Sequence, residues 1–284
     1  MKKTLIALAV VASAVSGMAH AWTNGDFNGS VNIGGSINAD DFRQKWSWAT
    51  GSEIGFSNLL KDLTEGGTKL TITVNGDKPI LLGKTTEAFS APVNSGVGAI
   101  PQIAFTDYEG GSVELKNPAG ETNKGLAYFV LPMKNAEGTK IGSVKVNASY
   151  AGVVGVGGTG SPDGILKSLY AGEADRIFNG GLPINVAQAE FQNGSDAASR
   201  TGLFGSLSAD GMLGQIKNVN ANITSLTSRV GSSTENMSYT DGTVVSAAYA
   251  LGIANGQTIE ATFDNAVTAS TQWSAPLTVA VTYN

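Results

Sequence analysis

The sequence predicts a mainly β protein, a β-sandwich interrupted by a partly helical insertion. Three observations carry this reading. Short runs that alternate apolar and polar residues recur along the chain, the pattern of strands with one buried face. Turn pairs such as Asn75-Gly76, Asp241-Gly242 and Asn255-Gly256 separate those runs. Glycine is abundant, 37 of 284 residues, and the longest departure from the β pattern is confined to one stretch, 151–237.

The elements follow in order. Lys2 and Lys3 precede an apolar run over 5–15, and Ala19-His20-Ala21 is a small-x-small cleavage site, so residues 1–21 read as a signal peptide and the mature chain is expected to begin at Trp22. In 22–37, Phe27, Val31, Ile33 and Ile37 share one face, with Gly29 and Gly35 between them and polar residues at even positions. No turn brings a nearby partner alongside this strand. Trp46 and Trp48 lie on one face of a further strand and read as core anchors. Strands are then expected at 68–74, 79–82, 103–105, 113–115, 126–131 and 140–150. The insertion starts with a glycine-rich break at 152–160. Leu166, Leu169, Tyr170, Ile177 and Phe178 recur at helical spacings, and 182–200 is polar and irregular. Met212, Leu213, Ile216, Val219, Ile223, Leu226 and Val230 step by three or four, predicting an amphipathic helix capped by Asp210 and stopped at Gly231. Strands resume at 244–253 and 258–263. The chain closes with Leu277, Val279, Val281 and Tyr283 on one face. The domain reading is therefore a signal peptide over 1–21, an N-terminal strand over 22–37, a sandwich over 38–150 and 238–284, and an insertion over 151–237.

Composition excludes whole classes of chemistry. There is no cysteine, and the one histidine, His20, falls in the signal peptide. Thiol nucleophiles, an imidazole base and His-ligated zinc are therefore not expected, nor is a cofactor or metal. Removing Lys2 and Lys3 from 18 basic residues leaves 16 against 23 acidic ones, a net charge of −7. That balance opposes nucleic-acid binding, which rests on Lys and Arg neutralising phosphates. The glycines over 152–160 lack the Lys-Ser/Thr of a phosphate loop, Asn222-Ile223-Thr224 reads as a chance glycosylation motif, and neither Asp40-Asp41 nor Asp107 with Glu109 has calcium-loop spacing.

The two ends make one argument. A sandwich lacking a strand leaves an apolar groove and an open sheet edge. A strand donated by another chain would close it, with main-chain bonds for affinity and alternate side chains for register. Gly25-Asp26-Phe27-Asn28-Gly29-Ser30-Val31, Ile103-Ala104-Phe105-Thr106-Asp107-Tyr108-Glu109, the stretches 125–134 and 241–260, and Trp273-Ser274-Ala275-Pro276-Leu277 resemble the FaeG-type major fimbrial subunit and adhesin of the chaperone–usher pathway. The resemblance covers most of the chain and is weaker over 151–237. It implies an incomplete immunoglobulin-like β-sandwich, completed by a donor strand through Phe27, Val31, Ile33 and Ile37. It implies a periplasmic chaperone on the C-terminal strand at Leu277, Val279, Val281 and Tyr283, and an outer-membrane usher. It further implies passage through the periplasm to a cell-surface homopolymer, and a receptor-binding insertion for galactose-containing glycans of host glycoproteins or glycolipids. Tyr283 is penultimate, as in many pilins, whereas Thr271 stands where many have a glycine.

Sugars stack on aromatic rings and hydrogen-bond through their hydroxyls. In the insertion, Tyr170, Lys167, Glu173, Arg176, Asn185 and Asp196 are the receptor candidates, and Phe178 and Phe204 read as core. Asp175 and Phe191 are weaker possibilities of the same kind. A secreted monomeric lectin or a carbohydrate-active enzyme, with Glu173 and Asp196 as an acid pair, is the alternative. It would not need an unpaired N-terminal strand.

Overall fold

In the computed structural model the described residues are 34–35, 40–92, 98–185 and 191–284. The cleavage site and the donor-strand residues Phe27, Val31, Ile33 and Ile37 lie outside them. Alternation sets the strands: Lys69–Thr73 (β2) buries Leu70 and Ile72 and exposes its other residues. β1 (Trp46–Thr50) precedes it. β3 (Lys78–Thr85), β4 (Pro101–Asp107), β5 (Leu126–Lys134), β6 (Lys140–Gly157) and β7 (Asp163–Ser168) follow. Two helices, α1 (Gly194–Phe204) and α2 (Ala209–Val219), then precede β8 (Ser225–Ser228), β9 (Val244–Ile253), β10 (Thr258–Phe263) and β11 (Leu277–Tyr283).

Nine strands share one sheet, in the order β1-β3-β9-β6-β10-β2, with β5 and β7 also on β6 and β8 on β7. β4 and β11 form a second, two-stranded sheet, antiparallel from Leu277 opposite Asp107 to Tyr283 opposite Pro101. The 18-residue β6 serves two neighbourhoods. Its first half pairs with β5 and β10, and its second half with β9 and β7. Ile103 and Phe105 of β4 join one buried cluster with Phe129, Val144 and Ile259 of the larger sheet, so the two sheets share a core.

The insertion departs from its expected elements. The glycine-rich stretch does not end the strand, because β6 runs on to Gly157. Its glycines instead let the insertion approach the strand. A Cβ at Gly152 would sit 2.6 Å from Leu182, and one at Gly157 would sit 2.6 Å from Ile216. Leu166 lies on β7, not on a helix, and Leu169, Ile177 and Phe178 are buried in irregular chain. The helix expected over 212–230 is only half there. Ser208, not Asp210, caps α2 by accepting from the Gly211 amide, and the helix stops at Asn220. Asn220, Asn222 and Thr224 are poor helix formers, and Leu226 pairs with Gly164 in the parallel β7–β8 ladder. The region expected to be irregular holds α1, capped by the Asn193 side chain on the Asp196 amide and ended by Gly205 at φ 99°. The run 113–115 forms only isolated bridges at Ser112 and Lys116.

Part of the insertion is built into the main core. The Phe178 amide donates to Pro101 O and the Ile103 amide to Asn179 O, so this segment lies along the edge of β4 away from β11. Phe178 is fully buried, with its ring centroid 5.6 Å from Trp46, 6.1 Å from Trp48 and 5.4 Å from Tyr249. Phe204 is buried too.

Candidate functional site

An open groove of about 1230 Å³ lies against the larger sheet. Leu70, Phe129, Leu131, Val144, Val146 and Ile259 line it from the larger sheet. One wall is Val267 and residues 269–277 with Val279, the other Thr50 and the stretch 51–60 with Leu63. Glu53 is the one charged side chain in this lining. The six floor side chains are only 2–7% exposed, whereas the walls mix polar residues such as Ser52, Asn58, Ser270 and Gln272 with the half-buried Ile54, Phe56 and Leu277, whose remaining apolar surface an occupant would cover.

Both walls carry strand edges. Among the described residues β11 pairs with β4 alone, and β1 with β3 alone. Leu277, Val279, Val281 and Tyr283 do share one face of β11, and all four are only half-buried. Beyond β1, Ile54 and Phe56 are half-buried while Glu53, Gly55 and Ser57 are exposed, an alternation outside any strand. Sequence reasoning missed this wall; its signal was the Ile54-Gly55-Phe56 spacing between polar neighbours. Leu59 and Leu60 stand 61% and 50% exposed at the rim. At the far end, the Trp48 Nε1–H donates to the Tyr283 hydroxyl at 2.9 Å, a contact between residues 235 positions apart. Burial pushes the Tyr283 phenol up, and the bond from Trp48 opposes that shift.

The receptor candidates are distributed. Arg176 joins Asp175 at 2.9 Å and Glu173 at 3.7 Å, and Gln102 Nε2 donates to its carbonyl at 3.0 Å. Glu173 is exposed and Tyr170 half-buried, with the Tyr170 amide bonded to Ser233 O. Asn185 is exposed. Asp196 lies on α1 and accepts from Asn193 Nδ2 at 2.7 Å, in the service of the helix cap. Lys167 is on β7 beside the start of α1, where a Cβ on Gly194 would meet its amide at 2.8 Å. The structure thus joins Glu173 to Arg176 through an ion pair and leaves Asp196 in a different local network. Phe191 is half-buried under the Arg200 guanidinium, 5.5 Å from the ring centroid. Among the described residues no cluster of three metal-binding side chains occurs.

Comparison with known proteins gives this geometry its setting. Residues 1–284 match the sequence model of a family described as fimbrial, major and minor subunit. The chain is 72% identical to K88 fimbrial protein AD and to K88 fimbrial protein AB of Escherichia coli, each over 284 residues and 100% of both chains. It is 30% identical to the F41 fimbrial protein of Escherichia coli over 294 residues, again across 100% of both. The relatives are structural fimbrial proteins and not enzymes, and with a match over its whole length this chain belongs to the family of fimbrial major and minor subunits.

Proposed function

We propose that this fimbrial subunit is an incomplete immunoglobulin-like sandwich that polymerises by accepting an N-terminal strand, residues 22–37, from a neighbouring copy. The open groove carries the reading. Its floor is apolar, it is flanked by two strand edges, and its volume of about 1230 Å³ suits a row of side chains rather than a small polar ligand. Phe27, Val31, Ile33 and Ile37 supply such a row on one face. Each apolar side chain so buried contributes roughly 1.5–3 kcal/mol before ordering costs. Before assembly, a periplasmic chaperone shields the groove by pairing with β11, and an outer-membrane usher delivers the subunit to the surface, where fimbrial proteins are displayed. Deleting residues 22–37 is the test. The deletion is expected to abolish fibres while leaving a subunit that accepts the same segment as a synthetic peptide. Normal fibres from the deletion mutant would refute the proposal.

The same subunit is proposed to bind host glycans, galactose-containing ones, through the insertion. Tyr170, half-buried, and the Arg176, Glu173 and Asp175 ion-pair cluster favour this reading. Tyr170→Ala is expected to reduce adhesion to host cells with fibres intact. Unchanged adhesion removes Tyr170 from the site, and loss of fibres makes it a core residue.

A further inference from the structure

We infer that the Trp48–Tyr283 contact is an end stop that fixes the register of the strand entering the groove; the inference rests on the strand-insertion reading above. The walls of the groove converge on this contact. On β1 the lining begins at Thr50, and on β11 it ends at Val279. Two residues before Thr50 and four after Val279, the indole N–H of Trp48 reaches the hydroxyl of Tyr283 at 2.9 Å. No ladder joins β1 to β11, whose partners are β3 and β4. The two edges therefore leave this point in opposite chain directions with the groove between them.

The stop is built from rigid parts. Trp48 stacks on Trp46 with centroids 6.4 Å apart and meets Phe178 edge-on at 6.1 Å. Its ring lies over Gly83, where a Cβ would fall 2.3 Å from Cζ3. Tyr283 is held through β11 by pairing opposite Pro101. The Asn284 amide, one residue on, donates to Ile100 O at 3.1 Å.

A stop answers a problem that the apolar face leaves open. Side chains alternate with a period of two, so a one-residue slip turns the whole apolar face outward and is self-correcting. A two-residue slip keeps Phe27, Val31, Ile33 and Ile37 facing inward, and only the sizes of Gly29 and Gly35 oppose it. A fixed obstruction at one end removes that alternative.

The cysteine-free chain allows a direct test. One cysteine is placed at Thr278 on β11, and a second is moved one position at a time through residues 24–36, in fibres assembled by the full-length protein. The expected wild-type result is one dominant disulfide-linked pair. Trp48→Phe and Tyr283→Phe keep an aromatic ring at each position and remove the bond. Each is expected to split the signal between the original pair and one two residues away, and the double variant to match either single one. A single unchanged pair in both variants overturns the end stop and leaves strand insertion standing. Absence of any linked pair in the wild type overturns strand insertion itself, and the stop with it.

Discussion

Glu235→Ala should destabilise the subunit far more than a typical surface substitution. Glu235 is 5% exposed, with Oε1 accepting from the amides of Asn236 and Met237 at 2.9 and 2.8 Å and Oε2 from the Tyr239 hydroxyl at 3.0 Å. Truncation leaves the fully buried Met237 amide without this acceptor, a penalty of about 1–3 kcal/mol. It also removes a hydroxyl bond to a buried acid side chain, of roughly 1 kcal/mol or more. A combined loss of about 3 kcal/mol corresponds to a fall of roughly 6–12 °C in Tm for a chain of this size. Glu235→Gln keeps an acceptor for the amides and should cost about a third as much. Thermal unfolding of wild type and both variants measures this. The effect should spread within the insertion, since the Ile177 amide donates to Glu235 O at 2.9 Å and so ties the segment of Tyr170 and Arg176 to this turn. Tyr239 provides a second readout. Burial first and Glu235 second hold its phenol above the ordinary range, so in Glu235→Ala it should titrate lower yet stay raised. An alanine variant melting within 2 °C of wild type would show the carboxylate to be dispensable, and a glutamine no better tolerated than alanine would refute the argument that a neutral acceptor can hold the amides.

Two further outcomes are expected. Glu260 has its carboxyl lowered first by the amide of Asn147, opposed next by burial, and lowered further by Lys145. Its folded pKa lies below the unfolded one, so its contribution is complete above the ordinary value of 4.5 and fades as pH falls through the lowered one. Denaturant titrations below pH 4.5 should show a shallower loss of stability for Glu260→Gln than for wild type. N-terminal sequencing of the exported protein should begin at Trp22, and a start many residues away would contradict the Ala19-His20-Ala21 reading.

Alternation made much of the β framework legible. β2, β5 and β10 each bury one face and β11 half-buries one, and their runs stand out in the chain. β9 is buried on both faces and shows as one apolar run. The second half of β6 is also covered on both sides, and there Ala151, Gly152 and Gly155 replace the large apolar residues that mark a strand. Its glycines report close packing by Leu182 and Ile216, which lie 30 and 61 positions away and leave no local trace. α1 was hidden because its buried face is small, Ala197, Ala198 and Thr201, although Asn193 and Gly205 marked both ends. α2 was overextended because Ile223 and Leu226 keep the helical spacing while packing from a loop and from β8. For the groove, the apolar face of β11 was readable, while its opposite wall and the Trp48–Tyr283 bond depend on tertiary approach. For the insertion, residue types named the candidates and placed Phe178 and Phe204 in the core, while the exposure of Glu173 and the half-burial of Tyr170 depend on tertiary packing.

The pairing of β4 has a mechanical consequence. One edge of β4 meets Asn179 of the insertion, and the other meets β11 over seven residue pairs. Tension applied at the insertion can thus pass into β4 and across to β11 by way of the ladders, without traversing the long loops. A ladder pulled along its strands shares the load among its pairs, whereas one peeled from an end breaks them in turn. Survival under pulling is governed by the unfolding rate and not by equilibrium stability. By this route a flow-borne force on the 169–182 segment is delivered as shear to the strand bordering the groove.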